Sequence, residues 1–124
     1  MRTYTRRVLP CLVGLGLMAS AAMAGGGAGT YSLAGGTVGL TNTQANSSWA
    51  PVSVMFKFNA AGTGTAELWR VSQEFSFMLG NCVFSNVTTV VWVPEAQYPF
   101  GFGEALVIRC SLTNGIVQVI RKGD

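Results

Sequence analysis

The chain has 124 residues, only a tenth of them charged, and it contains no histidine. Its one aspartate is the last residue, so a Ser-His-Asp triad, a zinc cluster and an Asp-rich calcium loop are all out of reach. The formal charge of +3 resides in Arg2, Arg6 and Arg7, because Lys57, Arg70, Arg109, Arg121 and Lys122 are balanced by Glu67, Glu74, Glu95, Glu104 and Asp124. Nucleic-acid binding, which draws on Lys and Arg neutralising phosphates, therefore lacks electrostatic support.

Residues 1–24 read as a secretory signal peptide. Three arginines open the stretch, an apolar run from Val8 to Met18 follows, and Ala22-Met23-Ala24 supplies a small-residue cleavage site. The apolar run is short of the roughly 20 residues that span hydrocarbon. Export implies a secreted or cell-surface location, periplasmic in a Gram-negative host. Residues 25–36 read as a Gly-rich flexible leader with Tyr31 and Leu33 as anchors, and 37–124 as a single β domain.

Within that domain, residues 37–43 predict a short edge strand. "PVSVMFKF" alternates Val52, Val54, Phe56 and Phe58 on one face, a period of two. "NAAGTG" reads as a turn and "TAELWRV" as the next strand, with either face a candidate for burial. Ser72-Gln73 predicts a reversal. "EFSFML" alternates through Phe75, Phe77 and Leu79, and Gly80-Asn81 suits a type II′ turn. "NVTTVVWV" reads as a strand buried on both faces and ended by Pro94. At the C-terminus, Asn114-Gly115 predicts a type I′ hairpin. In that register Leu106, Ile108, Cys110, Leu112, Val117 and Val119 share one apolar face. No segment carries an apolar period of 3.6 over a helical length. The fold class expected is all-β, a small antiparallel β-sandwich or barrel of about seven to nine strands.

Three features remain as candidate sites. Removal of Cys11 with the signal peptide leaves Cys82 and Cys110, and an oxidising compartment predicts a disulfide between them. It would close a loop of about 29 residues and contribute on the order of 3.5 kcal/mol. Trp92, Tyr98, Phe100 and Phe102 form an aromatic loop, with Tyr98, Phe100 and Phe102 as candidate ligand or partner contacts. The reading preferred over it, because Trp92 has the character of a core residue, folds these aromatics back as a lid over one open end of the sandwich, and that role then disappears. Asn46-Ser47-Ser48 and Asn86-Val87-Thr88 match the glycosylation sequon. The four internal glutamates show no spacing that selects a glycosidase pair.

Taken together, these residues predict a non-catalytic exported domain with no metal or cofactor. It is expected to act as a structural or adhesive subunit of a cell-surface or extracellular assembly, through self-association. The alternatives are a carbohydrate-binding module that stacks glycan on the aromatic loop, and a secreted inhibitor or effector.

Overall fold

The structure, a computed structural model, describes residues 2–3, 19–23 and 26–123. The expected signal peptide lies outside the described residues except for the two short segments at 2–3 and 19–23. Among the described residues there is no helix. The strands are β1 (Arg2–Thr3), β2 (Ala19–Met23), β3 (Gly27–Ser32), β4 (Thr37–Asn42), β5 (Trp49–Val71), β6 (Ser76–Trp92), β7 (Ala105–Cys110) and β8 (Gly115–Gly123). They form one curled sheet, antiparallel except where β2 runs parallel to β4. The chain is thus all-β, and its architecture is an open half-barrel.

Two long strands organise it. β5 and β6 form a hairpin whose reversal at 72–75 is closed by the Ser72 amide donating to the Phe75 carbonyl at 2.9 Å. The first half of β5 (Trp49–Phe58) pairs with β8, and β3 lies outside β8. The second half (Ala66–Val71) pairs with β7, and β4 lies outside β7. β6 runs along the opposite side of both halves.

Between the halves the β5–β6 register shifts at Lys57/Gly62 and again at Gly62/Gly64. Bulges bend a strand and increase its twist, and here they curl the sheet. "NAAGTG" is therefore a bend within one strand, where a chain reversal was expected. The glycine at 62 makes room for a neighbour, since a Cβ there would run into the Leu112 side chain.

Gly80-Asn81 likewise makes no turn, and β6 continues through it. A Cβ at Gly80 would collide with the Trp92 indole, so the glycine admits a large core ring. The terminal hairpin is also corrected. A type I′ turn needs positive φ at both central residues. Among the described residues φ is positive only at Asn46, Asn86, Gly27, Gly36 and Gly103. β7 and β8 instead run in line beside β5, and residues 111–114 cross its bend. There Ser111 N donates to Thr65 O at 2.9 Å and Asn59 N to Asn114 O at 2.7 Å. The expected apolar face survives because alternation within each strand is preserved. Leu106, Ile108, Val117 and Val119 are fully buried, Cys110 is nearly so, and Leu112 packs partly against the core.

The Gly-rich stretch expected as a flexible leader forms β3 on β8, and Leu33 behind it is fully buried. β4 is flanked by β7 and β2, so it is not an edge strand. β6 is buried on one face only: Val90 and Trp92 point inward while Val91 and Val93 are exposed. Val52 is exposed too, because the register slips between Pro51 and Ser53 and takes it out of the inward row of Val54, Phe56 and Phe58.

The main core gathers Trp49, Phe56, Leu68, Trp92, Phe100, Leu106 and Ile108 with their neighbours. Full burial of each large apolar side chain contributes about 1.5–3 kcal/mol. On the opposite face Trp69 joins Ala105 and Val107 in a second, smaller cluster, so "TAELWRV" buries side chains on both faces.

Candidate functional site

The two cysteines do not form the expected bridge. Cys82 on β6 and Cys110 on β7 are each the register partner of Ala66 on β5, one from either side. Two strand spacings separate them, about 9.5 Å. A disulfide needs Cα atoms within about 7 Å. Both side chains point into the core, and burial pushes the Cys110 thiol up, a hydrogen bond with the Leu112 backbone acting in the other direction.

The aromatic loop folds inward. Phe100 is fully buried and Tyr98 packs against the core, leaving Phe102 as the exposed ring of the three. Phe100 stacks on Trp49 with ring centroids 4.9 Å apart and planes 10° from parallel. A backbone bridge joins the same two residues, with Phe100 N donating to Trp49 O at 2.7 Å. Asn42 locks the loop from behind. Its fully buried amide donates to Phe100 O at 2.9 Å and to Ser47 O at 3.0 Å, while its Oδ1 accepts from Gln44 N at 2.9 Å.

This stack is part of a longer ladder in which each of two cations is followed by a pair of rings. The Arg121 guanidinium lies 5.4 Å from the Trp49 ring centroid. Burial pushes its pKa down, with Tyr31 opposing. Beyond Phe100 comes the Arg70 guanidinium, 5.6 Å from that ring and 6.0 Å from Phe75. Phe75 in turn contacts Phe77 at 4.9 Å. Arg70 is held by both oxygens of Glu104 at 3.0 Å, and Glu104 also accepts from Gly101 N at 2.7 Å. Alternation along β5 places Arg70 in the inward row, and the β5–β6 reversal places Phe75 beside it.

The ladder therefore starts in the interior and surfaces at the hairpin tip. There Phe75 and Phe77 are 38% and 56% exposed, next to exposed Glu74. Exposed aromatic rings beside an arginine are the residue types that carry binding energy at protein interfaces. Phe75 and Phe77 were expected as strand residues, with no contact role. Their alternation with Leu79 favours an inward face, but the β5–β6 register slips between Leu68/Gly80 and Trp69/Met78, and Phe77 sits opposite Arg70 at the end of the hairpin, where both rings reach solvent.

The sequon asparagines Asn46 and Asn86 are exposed, both at positive φ. Glu95 and Lys122 flank a shallow groove between Pro51 and the 94–97 loop. Among the described residues no three His, Cys, Asp or Glu side chains gather as a metal site. No helix among them is long and apolar enough to cross a membrane.

The fold and the ladder define a class: an all-β half-barrel whose ladder of rings and cations ends in two exposed phenylalanines at the β5–β6 hairpin tip. No protein-family profile matches the chain, and no curated protein matches it in sequence. Among solved structures it is similar to the Drosophila NLP core, whose crystal structure is described in terms of pentamer formation and histone binding. The likeness has a TM-score of 0.51 at 7% identity and covers 81% of this chain and 98% of that one. At that identity it is a likeness of fold.

This likeness corrects the functional expectations drawn from sequence. An exported structural or adhesive subunit, a secreted or cell-surface location and a glycan partner are withdrawn, since the matching fold is that of a histone-binding pentamer former. One physical finding bears on the glycan reading: the loop that was to stack on sugar has its central ring, Phe100, wholly inside.

Proposed function

We propose that the chain is a non-catalytic, self-associating β core that binds a basic protein segment of the histone kind. The observation that carries this reading is the likeness to the Drosophila NLP core across nearly the whole of that structure. On this chain the receiving surface is the tip of the β5–β6 hairpin. Ring faces attract guanidinium and ammonium groups, and Arg70 already occupies one side of Phe75. The free sides of Phe75 and Phe77, with the Glu74 carboxylate beside them, offer a Lys- or Arg-rich segment both ring faces and charge. The same reading takes the curled sheet as a small barrel of about seven to nine strands.

Purified core histones and the full-length chain test this by sedimentation velocity in about 0.15 M salt. The expected result is an oligomer alone and a heavier complex with histones. Phe75→Ala with Phe77→Ala, and separately Glu74→Lys, should weaken that complex while leaving the fold intact. Absence of any complex even at low salt overturns the partner assignment, and a monomer at every concentration overturns self-association.

A further inference from the structure

Within the half-barrel, β3, β8, the first half of β5 and the last residues of β6 lie side by side. Their directions alternate, since each adjoining pair is antiparallel. β3 is therefore antiparallel to β6, although the two stand at opposite margins of this four-strand segment and do not pair within the chain.

The side-chain rows across the segment are regular. Tyr31, Val117, Phe56 and Val90 form one inward row, and Gly29, Val119, Val54 and Trp92 form the next. Between them runs an outward row of Thr30, Gln118, Met55 and Val91.

Natural sheets protect their edges with charges, prolines or short strands. Neither margin here is protected in that way. β6 carries no charged residue and no proline over its 17 residues, and β3 carries none over six. Among the described residues the outer side of β6 meets another strand only where β1 touches Asn81 and Cys82, well short of Trp92.

The geometry points to a head-to-tail interface in which the β6 margin of one copy pairs with β3 of a second copy. The inference rests on the self-association reading and names its contact. Continuing the existing rows into the neighbour sets Val90 opposite Tyr31, Val91 opposite Thr30 and Trp92 opposite Gly29. That register is antiparallel, as the strand directions require. It sets large side chains against small ones at both ends of the row and brings no like charges together. Because two different edges meet, the contact is heterologous and generates a ring if the rotation closes. An isologous β6–β6 dimer would use one edge twice and leave β3 bare.

Cysteine crosslinking of the full-length chain separates these cases. Thr30→Cys and Val91→Cys lie on exposed outward positions. Mixing the two variants should give a crosslinked pair well above the wild-type background, whereas each variant alone should not. Val91→Lys should weaken association by about tenfold or more, and adding Thr30→Glu to the same chain should restore it. An oligomer that forms normally with Val91→Lys, or a Val91→Cys chain that crosslinks to itself, overturns the interface and leaves self-association standing. A chain monomeric at all concentrations removes both.

Discussion

Trp49 and Phe100 stack face to face at 4.9 Å, and the backbone of each donates a hydrogen bond to the other. The contact ties the first residue of β5 to a loop 51 residues later, and a cation sits on either side of it. It converts the aromatic loop from a binding surface into a plug for one end of the half-barrel.

Phe100→Ala should therefore cost about 3–5 kcal/mol, the usual range for deleting a buried phenylalanine. Phe102→Ala, two residues on and 65% exposed, should change stability by less than about 0.5 kcal/mol. Urea unfolding followed by tryptophan fluorescence compares them. Equal effects would mean that the loop is not seated as described.

Asn42 holds the same loop through its backbone partners at Ser47, Phe100 and Gln44. Asn42→Leu keeps the volume but leaves buried groups unsatisfied, and should destabilise the fold by about 2–3 kcal/mol. Thermal unfolding measures it. Stability equal to wild type would remove the amide from its bracing role.

The two buried thiols make a pH prediction. Burial raises the Cys110 pKa in the fold, so the native state keeps its proton at a pH where the unfolded chain has released it. Stability is unaffected below about pH 8, the unfolded thiol range, and falls as pH rises past about 8.5. Cys110→Ala should flatten that slope. Under native conditions alkylation at Cys82 and Cys110 should be slow, and in denaturant fast. A mass two units below the thiol form, removed by reductant and mapped to these two residues, would contradict the placement of Ala66 between them.

Gly80→Ala should cost about 1–3 kcal/mol through overpacking against the Trp92 indole. Gly39→Ala is its control. No atom lies within 4 Å of a Cβ there, and the substitution should be neutral within about 0.5 kcal/mol. Chemical denaturation of the pair checks both, and a neutral Gly80→Ala would rule out the close approach.

The sequence by itself determined the class of structure and much of the inward face. Alternation of apolar residues is a local property, so Val54, Phe56, Phe58, Leu106, Ile108, Cys110, Val117 and Val119 announce themselves without knowledge of their neighbours. What encloses them is not local. Gly62, Gly80 and Asn114-Gly115 have the composition of turns, yet the chain only bends within β5 at Gly62, runs on within β6 through Gly80, and at Asn114-Gly115 passes from the 111–114 crossing into β8. All three are shaped by a neighbour distant in sequence: the Leu112 side chain at Gly62, the Trp92 indole at Gly80, and the β5 backbone at Lys57 and Phe58 against Gly115. The same holds for function. Phe75 and Phe77 obey the pattern of a buried strand, and the loop of Phe100 reads as either a contact surface or a lid; the place where the β5–β6 hairpin turns leaves the first two exposed, and the stack on Trp49 makes the second a lid. Periodicity reports which side chains share a face. Only the tertiary structure decided which faces meet water, because that depends on the register between strands distant in sequence.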